Sequence, residues 1–553
     1  MKKRSVLLEI AGLSVDYETP GGRKEVLHDF QLSLNQGEVV ALVGESGSGK
    51  TSAAMAVLAL LPSSASIAGT VKYRGRKLNS NNEPLIGRIR GRKIGLIIQE
   101  PMASLNPLMK VGEQVLEAVS RRKDASRIDK KERVFQLLTE VGLKEIPRIY
   151  GSFPHQLSGG QLQRVMIAMA LAQDPRILIA DEPTTALDLS IQKLILDLLR
   201  KLQQERKMAM LLVSHDLKMV SEIADRVLVM YQGRVVEAGD VTTVLKSPKS
   251  QYTKTLLACR PERHLPKSIL PVLEPNNSDP KTITPQKIVL PNEPGETILK
   301  VQNITVNYRR QIHKGDFSAL RDITLKLMRG ETLGVVGESG SGKSTLGKAI
   351  IGAAPLANGA IEFAGNKETS GSRLCQMVFQ NSLGALNRRL TVAQLLQEPF
   401  ELIRRERRNR VIPLITQLLE EVGLSGEVLN RYPEQLSGGQ RQRVNIARAL
   451  AGNPQVLICD EAVSALDVTV QAQILNLLLK VQQQRGLALI FISHDMDVIR
   501  HVSDRVVVIS QGQIVEEGEA EQVFTNPQHP VTLKLIQSMT SDPLNPPQTK
   551  SIC

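Results

Sequence analysis

The chain has 553 residues and a mass of 60.8 kDa, about three times the ~150 residues of one domain, so two or more cores are expected. Hydrophobic residues make up 42% and charged residues 23%, a globular balance that excludes a disordered, collagenous or membrane-embedded chain. The net charge of +14 suits phosphate-rich partners such as nucleic acid, anionic lipid or nucleotide, while 3% aromatics and no tryptophan argue against single-strand nucleic-acid binding by base stacking.

The chain opens on Met1-Lys2-Lys3-Arg4, but Glu9 and Asp16 break the apolar stretch behind it, so no secretory signal is expected. No window of roughly 18 apolar residues occurs. Cys259, Cys375, Cys459 and Cys553 show neither CxxC nor metal-ligand spacing, which points to a reducing, cytosolic compartment without disulfides.

GEVVALVGESGSGKT at 37–51, followed by AAMAVLALL, reads as strand, Gly-rich loop and helix start. Loop N–H groups and the helix terminus together cradle a β-phosphate. Gly44, Gly47 and Gly49 serve where backbone approaches an anion or turns with φ > 0, with Ser46 and Ser52 in the same cradle. Lys50 supplies charge to β/γ oxygens, and Thr51 offers a hydroxyl to Mg²⁺. Gln99 ends an apolar strand, and HQLSGGQ occupies 155–161. RILIADE at 176–182 is an apolar run ending in two carboxylates. A buried strand delivering Asp181 and Glu182 at its tip suits a metal-bound water and a base. His215 follows the apolar run MLLV; a lone His there is usually structural.

Everything then recurs. GESGSGKS stands at 337–344, Gln380 after a strand, EQLSGGQ at 434–440, QVLICDE at 455–461 and His494 after LIFI. The spacing is 293 residues at the Gly-rich loop, 281 at the Gln and a constant 279 from the Gly-Gly-Gln onward. The chain is a duplicated domain, and the first copy carries about a dozen extra residues around Arg76–Arg92, expected as a surface insertion. Recurrence also shifts both histidines towards a γ-phosphate contact. By composition, one such Gly-rich loop arises by chance in roughly one chain of this length in fifty; two in matching context do not.

Between the copies, residues 260–297 hold eight prolines. Proline lacks the N–H and fixes φ, so a semi-extended linker is expected, able to span on the order of 100 Å at ~3.1 Å per residue. The expected organisation is a first domain over 1–259, this linker, a second domain over 298–539 and a frayed tail over 540–553.

The set resembles the ATP-binding cassette ATPases over nearly all the chain outside linker and tail: Walker A, Gln loop, Leu-Ser-Gly-Gly-Gln signature, Walker B with its Glu, Asp loop and switch His, all twice. The resemblance implies an α/β fold of two tandem P-loop nucleotide-binding domains, each with a RecA-like core, an antiparallel β subdomain and a helical signature subdomain. It also implies two ATP sites formed head-to-tail. Site one would use Gly44–Thr51, Gln99, Asp181, Glu182 and His215 with Ser437, Gly438, Gly439 and Gln440. Site two would use Gly337, Ser339, Gly340, Gly342, Lys343, Ser344, Thr345, Gln380, Asp460, Glu461 and His494 with Ser158, Gly159, Gly160 and Gln161. Glu182, His215, Glu461 and His494 would be catalytic. Mg²⁺ would be held by Thr51, Gln99 and Asp181, and by Ser344, Gln380 and Asp460. Tyr17 and Tyr308 match the family's adenine-stacking aromatic, and either also fits an ordinary strand residue. Ala462 replaces the usual Pro after Walker B, and Leu162 the usual Arg after the first signature.

The run Gln99-Glu-Pro-Met-Ala-Ser-Leu-Asn-Pro looks like the oligopeptide, dipeptide and nickel importer branch, where it lies beside a membrane subunit. The second copy, Gln380-Asn-Ser-Leu-Gly-Ala-Leu-Asn-Arg, lacks both prolines. SPKSQYTKTLL at 247–257 and NPQHPVTLKLI at 526–536 are similar to the branch's terminal Pro-Tyr-Thr segment, whereas the dispersed cysteines do not reproduce the iron–sulfur cluster of many relatives, so none is expected. The resemblance therefore implies an ATPase driving import of peptide-like or chelated-metal solutes. It would work at the cytoplasmic face of the inner membrane, through two permease subunits and, through them, a solute-binding protein, with no nucleic-acid partner. The alternative is a soluble twin-cassette translation factor on ribosomes; such factors carry a charged helical linker, unlike the Pro-rich one here. The basic runs at 121–133 and 404–410 fit either a solvated helix face or contact with an anionic leaflet.

Overall fold

The computed structural model describes residues 5–19, 22–78, 83–120, 127–184, 189–272, 295–309, 316–364, 374–404, 408–464 and 466–537. They fall into two compact units that part between Leu257 and Ala258.

In the first unit, strands Gly22–Asn35, Val6–Thr19, Ala65–Tyr73 and Arg76–Leu78 form, in that order, an antiparallel sheet. A six-stranded sheet runs Arg234–Asp240, Arg226–Tyr231, Val39–Val43, Ala209–Ser214, Ile177–Asp181, Ile94–Ile97. All its neighbours are parallel except the first pair. VVALV and ILIAD are buried at every position, as a parallel sheet covered on both faces requires. One core joins the sheets: Leu8, Leu13 and Phe30 of the antiparallel layer pack with Val40, Leu42, Ile179 and Leu211. The helix Lys50–Val57 follows strand Val39–Val43, the signature helix Gly159–Leu171 follows a short turn at 154–156, and the helix Leu189–Arg206 follows the Walker B strand.

The second unit repeats this plan. Its antiparallel sheet has strands Asp316–Met328, Thr297–Arg309 and Asn358–Phe363, and its six-stranded sheet runs from Cys375–Val378 through Val456–Asp460, Ala488–Ile492, Thr332–Val336 and Arg505–Ser510 to Gln513–Glu519. The α/β expectation of a mixed core, an antiparallel β layer and a helical part holding the signature is met in each unit.

Two expectations change. The insertion around Arg76–Arg92 is more than a surface loop. It supplies strand Arg76–Leu78 and helix Glu83–Ile89, buries Ile86 and Ile89, and sends Arg90 to the carbonyls of Leu58 and Ala59 at 2.7 Å each. The segment 260–272, read as linker, instead folds onto the second unit. Asn476 clamps the Leu270 backbone from both sides at 2.8 Å, Ser268 O meets His501 Nε2 at 3.0 Å, and Lys267 Nζ pairs with Asp504 at 2.5 Å. Leu270 and Cys259 join the second unit's core. Prolines stop helix and central strand but leave the neighbouring N–H, C=O and side chains free to bind elsewhere. Residues 273–294 of the linker, residues 538–553 with the tail expected over 540–553, and parts of both basic runs (121–126 and 405–407) lie outside the described residues. No helix among the described residues is long and apolar enough to cross a membrane.

Candidate active site

Each Walker A loop bridges a buried strand and a helix. Gly44, Gly47 and Gly49 have φ of 151°, 78° and 95°, and Gly337, Gly340 and Gly342 have 154°, 77° and 109°, the left-handed backbone that glycine adopts without strain. A Cβ on Gly44 would lie 2.2 Å from Met230 O, and one on Gly337 2.1 Å from Ile509 O. The lysines are buried and rest on their own loops. Lys50 Nζ donates to Gly44 O at 2.8 Å and Glu45 O at 2.7 Å. Lys343 Nζ donates to Gly337 O at 2.8 Å and Glu338 O at 2.9 Å.

Strand Ile177–Asp181 delivers Asp181, 1% exposed, against Walker A, where Thr51 Oγ1 donates to Asp181 Oδ1 at 3.3 Å. Ser344 Oγ donates to Asp460 Oδ1 at 3.0 Å. Burial, with the neighbouring Glu182 charge, raises the Asp181 carboxyl to about 6 against the pull of Thr51 and Lys50; burial raises Asp460 in the same sense. The next residue turns sharply: Glu182 and Glu461 have φ of 46° and 47°, a left-handed conformation costing a non-glycine residue about 1 kcal/mol or more. The turn aims each carboxylate at two partners. Gln99 Nε2 donates to Glu182 Oε2 at 2.7 Å, with His215 Nδ1 at 3.3 Å from Oε1. Gln380 Nε2 donates to Glu461 Oε2 at 2.5 Å, with His494 Nδ1 at 3.4 Å. At Glu461, burial acts to raise the pKa, but the His494 hydrogen bond and charge outweigh it and hold the carboxyl below its usual range. At His494, burial acts downward and is outweighed by Glu461, so the imidazole is raised. Walker A, the Gln, Walker B and the His thus converge within each half.

A divalent cation fits the donor set of Thr51, Asp181 and the Gln99 amide oxygen, and that of Ser344, Asp460 and Gln380. These are hard oxygen ligands, and Asp181 is a buried carboxylate beside the Thr51 hydroxyl.

The signature residues form a separate group at a helix start. Ser158 caps helix Gly159–Leu171 in a capping box with Gln161, and Ser437 caps Gly438–Ala451 with Gln440. A Cβ on Gly160 would meet Ile191 at 2.7 Å and one on Gly439 would meet Val470 at 2.6 Å, whereas one on Gly438 would have its nearest neighbour at 3.9 Å. The second glycine is therefore a packing requirement, and the first keeps the helix end open. Leu162 leaves the first half without the bond that Arg441 makes to Leu436 O. Ala462 is buried. Thr185–Asp188 of the first Asp loop lie outside the described residues.

Tyr17 and Tyr308 differ. The Tyr17 hydroxyl lies 3.1 Å from Ser52 Oγ, beside Walker A, whereas Tyr308 is 39% exposed. Two features went unread in the sequence. One is the pair of grooves between each core sheet and its signature subdomain. The first, about 350 Å³, is floored by Met166 and Met169, and the second, about 310 Å³, is lined at the matching positions by Asn445 and Arg448. The constant spacing of 279 already pairs these residues. The other is the contact of helix Gln251–Ala258 with Walker A, through the Tyr252 hydroxyl and Glu45 N–H.

The ABC transporter family pattern matches residues 27–185 and 320–464, and the pattern "Oligopeptide/dipeptide transporter, C-terminal region" matches 236–285 and 515–550. The chain is 41% identical to the glutathione import ATP-binding protein GsiA of Salmonella paratyphi A, over 97% of this chain and 90% of that one. It is 40% identical to GsiA of Escherichia coli K12, over 96% and 89%. Among solved structures, the complex of an archaeal ribosomal stalk protein with the ribosome recycling factor aABCE1 matches with a TM-score of 0.57 at 20% identity, over 89% of this chain and 88% of that one. At that identity the likeness speaks for the fold alone and brings no ribosomal role with it. The chain belongs to the ABC transporter family, as a twin-cassette ATP-binding ATPase whose halves each end in the oligopeptide/dipeptide transporter C-terminal region.

Proposed function

We propose that this chain hydrolyses ATP to drive import of a peptide-like solute, such as glutathione or a short peptide, or of a chelated metal. The observation carrying this is that Lys, Thr or Ser, Asp, Glu, Gln and His converge in both halves, each followed by the importer-branch C-terminal region. In the proposed cycle, Lys50 and Lys343 leave their loop carbonyls for β/γ-phosphate oxygens, with loop N–H groups donating beside them. Mg²⁺ held at Thr51, Gln99 and Asp181, and at Ser344, Gln380 and Asp460, would neutralise charge on the β- and γ-phosphates. Glu182 and Glu461 take the proton of the attacking water as its oxygen bonds to the γ-phosphorus and the β–γ bridging bond breaks, releasing ADP and phosphate. The Gln99 and Gln380 contacts hold each base in place until then, and His215 and His494 turn to the γ-phosphate. Each signature, Ser158–Gln161 and Ser437–Gln440, would serve a γ-phosphate by its helix start.

The two grooves are the proposed seats of two permease subunits at the cytoplasmic face of the inner membrane. Apolar side chains line them: Leu60 and Ile98 stand 44% and 39% exposed in the first, Leu402 71% exposed in the second. Their floors differ. Met166 and Met169 are adaptable, whereas Asn445 donates to Ser382 O and Arg448 to Ala385 O, each at 3.0 Å. Pro101 opens a short helix Pro101–Ser104 in the first half only, because proline favours a first helical position and the second half has Ser382 there. The test is uptake of labelled glutathione, a tripeptide and a nickel chelate by cells with and without the chain. Uptake of all three unchanged by its loss would refute the importer reading.

A further inference from the structure

The helix Gln251–Ala258, inside the matched C-terminal region, reaches the first Walker A loop. Tyr252 is 7% exposed, its ring packs on Tyr231 with centroids 4.4 Å apart, and its hydroxyl accepts a hydrogen bond from Glu45 N–H at 3.3 Å. That N–H belongs to the Gly44–Glu45 peptide, whose carbonyl accepts Lys50 Nζ at 2.8 Å. A trans peptide points its N–H and C=O to opposite sides, so this plane is held at both ends: by Tyr252 on the N–H side and by Lys50 on the C=O side. Any rotation of it moves the acceptor on which Lys50 rests.

The second cassette has the lysine half of this arrangement without the tyrosine half. Lys343 Nζ donates to Gly337 O at 2.8 Å, but the positions 279 residues beyond Tyr231 and Tyr252 are Ser510 and Val531. Valine offers no hydroxyl to the Glu338 N–H. What the second tail supplies is Lys534, 2.7 Å from the Glu338 carboxylate, with both side chains exposed. It holds a side chain rather than the peptide plane, in solvent where an ion pair contributes little.

We propose that Tyr252 is a positioning residue for the first nucleotide site: its hydroxyl fixes the Gly44–Glu45 peptide plane and with it the entry of the phosphate loop, a support the second site lacks among the described residues. This rests on reading Gly44–Thr51 as a nucleotide site. A pre-set loop binds ATP without first ordering itself, and one such hydrogen bond corresponds to about a three- to tenfold change in affinity.

The test uses the full chain. In a Lys343→Ala background that silences the second site, Tyr252→Phe removes the hydroxyl and keeps the ring on Tyr231. The expected result is a three- to tenfold weaker ATP Kd at an unchanged thermal midpoint. In the same background the KM for ATP rises and kcat is retained, a split that a loosened fold would not give. In the mirror background, Lys50→Ala, the same substitution leaves the second site's Kd unchanged. A Kd within twofold of the parent, or equal weakening at both sites, overturns the proposal. Failure of the Lys343→Ala chain itself to bind ATP overturns the nucleotide-site reading, and this inference with it.

Discussion

Acid should weaken the second unit through one residue, His501. It closes the helix Met496–Val502 that begins two residues after the switch His494, and it is 2% exposed. One ring nitrogen meets Ser268 O at 3.0 Å, and Nδ1 is buried with no hydrogen-bond partner among the described residues. Burial lowers its pKa to about 4, the Ser268 carbonyl opposes this, and the nearby His264 adds to it. The folded value thus lies below the ordinary 6.5, so the unfolded chain binds the proton first. Stability is complete above about 6.5, falls as pH drops and levels off below about 4. Between pH 7 and pH 5 the loss is about 2 kcal/mol, roughly thirtyfold in the unfolding constant. Native-state hydrogen exchange can read this, with strand Ala488–Ile492 as reporter and strand Ala209–Ser214 of the first unit as control in the same sample. Other groups titrate too, so the decisive quantity is the pH slope of wild type minus that of His501→Gln. The substitution should remove about 2 kcal/mol from the slope on the second strand and nothing from the first. Equal slopes in wild type and variant would exclude His501 as the source of the acid sensitivity.

Glu182→Gln together with Glu461→Gln should bind ATP yet hydrolyse it at least tenfold more slowly, since an amide cannot take the water's proton; unchanged steady-state turnover would remove the general-base assignment. Asp181 must be ionised to hold a cation. With its carboxyl raised to about 6, Mg²⁺-dependent ATP binding at the first site should weaken progressively below pH 6, and titration calorimetry should find this dependence lost in Asp181→Asn. Gly439→Ala places a methyl 2.6 Å from Val470 and should cost about 1–3 kcal/mol, seen as a lower thermal midpoint. Gly438→Ala meets nothing closer than 3.9 Å and should keep the midpoint while slowing ATP hydrolysis.

The phosphate chemistry was legible because it is written in residue types and repeated at fixed spacing. Glycines, a lysine and a hydroxyl between strand and helix admit few other readings, and the second copy removed most of those. The sheets followed from apolar runs such as VVALV and LIFI. What stayed hidden depends on partners far along the chain. Nothing local marks residues 258–272 as part of the second unit, because Asn476, His501 and Asp504 lie more than 200 residues away. Proline content excluded regular structure there but not attachment. The left-handed turn at Glu182 and Glu461 runs against residue preference and is imposed by the surrounding backbone, as Glu182 N–H donates to Val213 O and Glu461 N–H to Ile492 O, each at 2.9 Å. Tyr252 stood in a segment noticed for its likeness alone; its contact with Glu45 needed the fold.

If ATP at two complete cassettes drives a membrane partner, that partner should co-purify with the Glu182→Gln, Glu461→Gln chain and ATP from detergent-solubilised cells. Slowed hydrolysis should hold the complex together, and two multi-span membrane proteins should accompany the chain. Ribosomal subunits in their place would mean that the chain works on ribosomes and not in import.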